Sequence, residues 1–268
     1  MKTLSHLLAA VAISAIAAPA LAVTFGQPDG NAHPHVGNIL FERPDGYYSC
    51  TGTMMNSTVM LTAGHCTEEA GVPNVRTWVT FTPDVALNSG CSTRKCLNKY
   101  LDDPRNGWIP ASAYPHPAYD DFNQFPATFD VGVLVLKRAV SLKTYGELPP
   151  LHFLDSIRSS ADNRFTVVGY GLQGAIKPFF SDLWTRYVGE VKLNELNSTS
   201  NAGMSAKFSN NPGTGGGTCF GDSGGPVFYK DTNVVVAVVS WGITPCIGVD
   251  YQFRTDIELT QDFVDDFL

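Results

Sequence analysis

Apolar and β-branched residues along this chain come in short runs, not in long stripes of helical period: "VGNILF" (36–41), "TVMLT" (58–62), "VRTWVTF" (75–81), "VGVLVLK" (131–137), "RFTVVGY" (164–170), "PVFYK" (226–230) and "NVVVAVVSW" (233–241). Gly, Pro, Asn and Asp punctuate them, so each reads as a strand closed off by turns. No amphipathic helical segments alternate with these strands, which disfavours a parallel α/β sheet and predicts an all-β fold of antiparallel barrels or sandwiches. The tail departs from this pattern. "DIELTQDFVDDFL" sets Ile257, Val264, Phe267 and Leu268 at roughly helical spacing and predicts a closing C-terminal helix.

The run "KRAVSLKTYGELPPLH" (137–152) brings charges and a Pro pair between two strand-rich stretches. It divides the chain into two β domains, 23–140 and 141–268. Residues 1–22 read as a leader: Lys2 is followed by an apolar run from Leu7 to Ala18, then by "ALA" at 20–22, which predicts cleavage before Val23. No later stretch is long and apolar enough to span a bilayer as a helix. The expectation is a secreted, monomeric protein.

Of 268 residues, 44% are hydrophobic and 16% charged, which supports an extensive core, and the net charge is −7. That sign disfavours nucleic acid and anionic membrane as partners. The six cysteines, 50, 66, 91, 96, 219 and 246, all lie beyond the leader, and their even number fits three disulfides in an oxidising compartment. Spacing alone allows fifteen pairings. Zinc is the competing use, but there is no C-x2-C pair and His65 is the only histidine close to a cysteine, so neither a metal nor another cofactor is expected. Asn56 and Asn197 each begin an N-x-S/T sequon.

The candidate chemistry centres on "GGGTCFGDSGGP" (215–226), where glycines surround one serine and one acid. "GDSGG" satisfies the G-x-S-x-G pattern of an α/β-hydrolase elbow, but that fold places its histidine after the serine. The histidines stand at 6, 33, 35, 65, 116 and 152, all before Ser223. A serine hydroxyl needs a base to take its proton, and the base needs an orienting group. His65, in "LTAGHC", follows a strand. Asp130 stands at the lip of the apolar run "DVGVLVLK", where a charge demands a partner; Asp120 and Asp121 in "AYDDFNQ" are the alternatives.

"TAGHC", "DVGVLVL" after "HPAYDDF", "GDSGGP" and "SWG", in that order, resemble the chymotrypsin-like (trypsin-fold) serine proteases over nearly all of residues 23–268. The resemblance implies two packed antiparallel β-barrels with a C-terminal helix, and a secreted serine endopeptidase acting on proteins or peptides. It further implies His65 as general base, Asp130 as its orienter, Ser223 as nucleophile, and the N–H groups of Gly221 and Ser223 as an oxyanion hole. Gly215 and Gly216, outside that motif, read as a flexible surface loop. Implied disulfides are Cys50–Cys66 and Cys219–Cys246, leaving Cys91 and Cys96 to close the small loop "CSTRKC". Ser240, Trp241 and Gly242 resemble the segment that binds substrate backbone. A non-catalytic binding protein on the same fold is the alternative, and such members usually lack a triad residue.

By the same resemblance Gly217 lies at the base of the primary specificity (S1) pocket, with Gly242 and Gly248 on its walls. An open, uncharged pocket follows, favouring a bulky apolar or aromatic residue before the scissile bond, unless Asp250 enters it. Relatives are cut after a basic residue so that the new α-amine pairs with the acid preceding the serine, here Asp222. This chain has no Lys or Arg between Lys2 and Arg43, and "VTFG" at 23–26 stands where "IVGG" is usual. The expectation is that leader removal alone exposes Val23 to pair with Asp222.

Overall fold

The computed structural model describes residues 23–87, 89–157, 162–174, 184–196 and 202–268; the expected leader at 1–22 and the sequon at Asn197 lie outside the described residues. After a two-residue strand β1 (Gln27–Pro28), the N-terminal half is built on β2 (Val36–Glu42), β3 (Tyr47–Met54) and β4 (Val59–Thr62). A short hairpin of β5 (Glu68–Glu69) and β6 (Val72–Pro73) follows, then β7 (Arg76–Thr80), β8 (Ile109–Pro115) and β9 (Gly132–Leu136). Six of these strands close an antiparallel barrel in the order β2-β3-β4-β9-β8-β7. Closure leaves no unpaired edge. Ile39, Met54, Met60, Val79 and Leu134 fill its interior.

All seven residues of β2 are buried, because both of its faces are covered. Ile39 and Phe41 point into the barrel, while Leu40 lies outside it against Trp78, Trp108 and Leu101. Leu101 belongs to a helix, α1 (Arg94–Asp102), that the sequence reading treats only as a small disulfide loop. Its signals are local: the Thr93 side chain accepts from the Cys96 amide as an N-cap, and Leu97 and Leu101 recur one turn apart. Its otherwise polar composition hides that period.

The second half supplies β10 (Phe165–Gly169), β11 (Tyr187–Val191), β12 (Leu193–Glu195), β13 (Ser205–Asn210), β14 (Pro226–Tyr229), β15 (Val235–Gly242) and β16 (Gly248–Arg254). With β1 they form one eight-stranded sheet, ordered β1-β11-β10-β14-β15-β16-β13-β12. This sheet coils without closing, so the second barrel is only partly sealed by hydrogen bonds, and β1 ties the start of the chain to it through Gln27↔Val188 and Pro28↔Tyr187.

Between the two sheets lies a shared apolar layer: Val36, Leu61 and Val133 from the first half meet Val168, Phe228 and Val238 from the second. The predicted C-terminal helix is present as α2 (Glu258–Asp265). Its buried face is Thr260, Phe263 and Val264, shifted from the expected set, and Leu268 is exposed. Phe263 and Val264 seal the inter-sheet layer.

Candidate active site

His65 sits in a single 3-10 turn (Gly64–Cys66) that follows β4. The Cys50–Cys66 disulfide fastens this turn to β3. Arg43, itself buried, adds two more ties by donating Nη2 to the carbonyls of His65 (2.8 Å) and Glu68 (3.0 Å). A backbone anchored at this many points fixes the direction of the imidazole before any ligand arrives.

Asp130 is completely buried immediately before β9. Its Oδ2 lies 2.9 Å from His65 Nδ1 and accepts the Ser240 hydroxyl at 2.5 Å, while Oδ1 accepts the His65 amide at 2.9 Å. Burial opposes ionisation, but the His65 and Ser240 contacts outweigh it and hold the carboxyl below its ordinary value. An ionised carboxylate only accepts hydrogen bonds, so Nδ1 carries the proton and Nε2 is left as the basic nitrogen. The alternatives differ in kind: Asp120 accepts from Gln124 Nε2 (2.9 Å), and Asp121 accepts from the Tyr119 hydroxyl (3.4 Å); neither bonds His65.

Ser223 shares with His65 a cleft of about 500 Å³ between the two sheets. Its loop is pinned across the sheets by Thr51, a residue the sequence gives no reason to single out. The Thr51 N–H donates to the Ser223 carbonyl (2.8 Å), and its hydroxyl donates to the Gly221 carbonyl (2.9 Å) while accepting from the Tyr170 N–H (3.1 Å). Gly221 adopts φ +99°, a conformation that a side chain would disfavour. Among the described residues neither the Gly221 nor the Ser223 N–H donates to any acceptor, so both remain available to a ligand.

Gly215 and Gly216 differ from the expected loose loop. A Cβ at Gly216, where φ is +146°, would stand 2.6 Å from the Thr24 carbonyl oxygen, so this turn is packed against the start of the described chain. The next residue, Gly217, donates its N–H to that same Thr24 carbonyl (3.1 Å), and the Thr24 hydroxyl bonds Asn210 Oδ1 (2.8 Å). Val23 is fully buried. Asp222 is buried, and among the described residues only the Gly171 and Cys219 N–H groups donate to its carboxyl, at 2.8 and 2.9 Å. Burial, reinforced by the charge of Asp250, pushes its carboxyl up to about 7, because the two amides compensate only in part.

The inner end of the cleft is lined by Asn210, Thr218, Val239, Trp241, Gly242 and the Cys219–Cys246 disulfide. Gly217 and Gly248, expected at the pocket base and wall, are not among the cleft-lining residues. A side chain at 217 would collide with Asn210 Oδ1, so Asn210 occupies that space. Asp250 lies behind this floor, 2% exposed. Its Oδ2 accepts from Thr218 N (3.1 Å), Thr218 Oγ1 (2.5 Å) and Asn210 Nδ2 (3.2 Å), whereas Oδ1 is buried without a hydrogen-bond partner among the described residues. Burial pushes this carboxyl up to about 6 despite those donors.

Along the cleft, β15 pairs with β14 only as far as Val238, so its edge at Ser240, Trp241 and Gly242 is left free of that neighbour. Trp241 is held flat by stacking on Tyr251, and Phe125 meets it edge-on. The third disulfide, Cys91–Cys96, does not line the cleft and braces the start of α1. The only group of potential metal ligands found among the described residues is Cys50, His65 and Cys66, whose sulfurs are bonded to one another. No helix among the described residues is long and apolar enough to cross a membrane.

A family model described as Trypsin matches residues 23–264. The chain is 29% identical over 230 residues to a trypsin of Saccharopolyspora erythraea, covering 81% of this chain and 86% of that protein. It is 27% identical over 224 residues to the Spaetzle-processing enzyme of Drosophila melanogaster, covering 74% of this chain but 53% of that protein, so it spans about half the length of that relative. Among solved structures, HL collagenase aligns with TM-score 0.66 at 17% identity, covering 91% of this chain and 97% of its own. Human heparin binding protein aligns with TM-score 0.62 at 19% identity, over 91% and 95% respectively.

Proposed function

The chain belongs to the trypsin family and is a serine-type endopeptidase, and on that premise we propose that His65, Asp130 and Ser223 are its catalytic triad. The observation that carries the reading is the buried, ionised Asp130 bonded to both Nδ1 and the backbone N–H of His65, in the cleft that also holds Ser223. Nε2 of His65 takes the Ser223 proton as Oγ attacks the substrate carbonyl. The resulting oxyanion is received by the free N–H groups of Gly221 and Ser223, each worth roughly 2.7–4 kcal/mol to the transition state. His65 then returns the proton to the leaving amine, and water repeats the sequence on the acyl-enzyme. Substrate backbone adds to the open edge at Ser240–Gly242 as an antiparallel strand.

The division at residue 140 follows from this reading: 23–140 brings His65 and Asp130, 141–268 brings Ser223 and the pocket. The preferred P1 residue is bulky and apolar or aromatic, because the inner cleft is lined by uncharged side chains and Asp250 stands behind Thr218 and Asn210. A basic P1 residue is the second reading, favoured by one observation, the unpartnered Oδ1 of Asp250.

Activation follows from leader cleavage. The docking of Thr24 on Gly217 and Asn210 supports this reading, in which the amine released at Val23 supplies a cation to the buried Asp222. Secretion as a monomer goes with that leader and with the disulfides. A fluorophosphonate probe tests the core of the proposal: it labels Ser223 in the processed protein and not in Ser223→Ala. An unlabelled Ser223 in a folded, processed sample overturns the proposal in favour of a non-catalytic binding protein.

A further inference from the structure

A second groove, of about 530 Å³, lies over α1 and is lined by Arg76, Arg94, Lys95, Asn98, Lys99 and Asp102. We propose that it is an anion-binding site that receives an acidic segment of the protein substrate, on the C-terminal side of the scissile bond. The proposal rests on the proteolytic reading above.

The charge balance within the groove is uneven. Asp102 is occupied by Arg76 Nη1 (2.8 Å) and Trp78 Nε1 (2.9 Å), and Glu42 by Arg94 Nη1 (3.4 Å) and Asn98 Nδ2 (2.9 Å). Asp103, just beyond the helix, is held by Arg105. Lys95 and Lys99 are exposed and make no ion pair among the described residues. A surplus of positive charge thus collects on one face of a protein whose net charge is −7.

The helix also defies its own electrostatics. Arg94 and Lys95 occupy the first turn, where the helix dipole favours acids, and that turn contains none. Lys95 and Lys99 stand one turn apart, a spacing at which like charges repel. Glu42 offsets Arg94 and Asp103 attracts Lys99, but no ion pair among the described residues compensates Lys95, and departures of this kind concentrate where a chain meets a ligand.

The groove is rigid. The Cys91–Cys96 disulfide and the Thr93 cap fix the first turn, Leu101 is buried with Trp78 and Trp108, and the Tyr47 hydroxyl bonds Asn98 Oδ1 (2.7 Å). Cations held in place lose little freedom when an anion arrives.

Position identifies the occupant. Arg94 Nη2 donates to the Pro44 carbonyl (3.0 Å), in the turn between β2 and β3. Arg43 and Tyr48, on either side of that turn, line the catalytic cleft. The groove therefore adjoins the end of the cleft opposite the Ser240–Gly242 edge, where residues after the scissile bond leave. A long uniform polyanion passing along the cleft would meet Glu68, Glu69 and Asp121, which line it. A peptide avoids that repulsion because its acidic residues can be confined to the stretch that reaches α1.

The test uses two internally quenched peptides with the same cleaved core. One carries a run of Glu beginning about eight residues beyond the scissile bond, roughly 27 Å of extended chain, and the other carries Gln there. At low ionic strength kcat/KM is expected to favour the Glu peptide about tenfold. Lys95→Gln combined with Lys99→Gln, or ~1 M salt, should abolish the preference and leave the Gln peptide unaffected. Equal rates on both peptides in the wild type, or a preference that survives the double substitution, overturn the site.

A labelled Glu peptide titrated onto Ser223→Ala reads the same contact without catalysis. Its affinity should fall about tenfold with the two lysine substitutions, and an unchanged affinity overturns the proposal. Tighter lysine-dependent binding of a heparin oligosaccharide than of the Glu peptide also overturns it, assigning the groove to a sulfated glycan. A wild type that cuts neither peptide overturns the proteolytic reading, while the titration still decides the anion site.

Discussion

Ser240 Oγ and His65 Nδ1 converge on the same oxygen of Asp130, Oδ2, at 2.5 and 2.9 Å. One carboxylate oxygen thereby couples the strand proposed to hold substrate to the proposed base, and the buried charge is stabilised from both halves of the molecule. Asp130→Asn is expected to lower kcat by roughly 10⁴, because an amide favours the wrong imidazole tautomer. Ser240→Ala removes one charge-assisted hydrogen bond of about 1.5–3 kcal/mol and should cost about ten- to a hundredfold. Asp120→Asn and Asp121→Asn should stay near wild type in the same peptide assay. Near-full activity in Asp130→Asn would remove it from the triad.

Chromogenic peptides that differ only at P1 test the pocket. Phe, Tyr or Leu should exceed Arg and Lys in kcat/KM by at least about tenfold, or ~1.4 kcal/mol. A preference for Arg or Lys that disappears in Asp250→Asn would instead show the unpartnered Oδ1 to be the recognition element.

The pairing of Val23 with Asp222 predicts that two forms of the protein lose stability over different pH ranges. With residues still attached before Val23, Asp222 is protonated in the fold up to about 7 against 3.8 when unfolded. Its contribution to stability is then complete below the lower value and is lost as pH rises through the upper. With the amine free, the ion pair raises the amine above the ~7.7–8.0 of an open terminus, so its stabilisation is complete below that value and fades only as pH rises through the folded one. Thermal melts between pH 4 and 7 should show the Tm of a form extended by one alanine falling relative to that of the processed form as pH rises, with the acid slope from His35 common to both. Activity should fall in the extended form as far as in Asp222→Asn. Parallel melts would end the pairing proposal.

His35 predicts an acid limit. It is 1% exposed, and neither ring nitrogen has a hydrogen-bond partner among the described residues. Burial, reinforced by the positive charges of His33 and Arg186 against the weaker opposing effect of the negative Asp29, pushes it down to about 4 from 6.5. The fold must therefore exclude a proton that the unfolded chain accepts. The associated stability is complete above about 6.5 and is lost as pH falls towards about 4, an effect on the order of a few kcal/mol. His35→Leu should flatten Tm between these limits, as followed by circular dichroism, and an unchanged acid slope would place the liability elsewhere.

The sequence by itself determined what depends on neighbours along the chain. Strand runs such as "VGVLVLK" carry their period and their turn residues with them, and Ser223 and His65 stand in motifs whose shape is fixed within a few residues. Even α1 was encoded locally, in Thr93, Leu97 and Leu101, although its polar composition masked it. Tertiary structure decided what depends on register and on contact between distant segments. Thr51 links the serine loop to β3 across 170 residues of chain, through bonds that no spacing announces. The floor of the pocket turns on a bulge between Val239 and Trp241, which sets Gly242 opposite Asp250. In a sheet one residue of slip exchanges the faces, so whether Asp250 or its neighbour lies under the cleft is fixed by the pairing of β15 with β16 and by nothing in either strand alone.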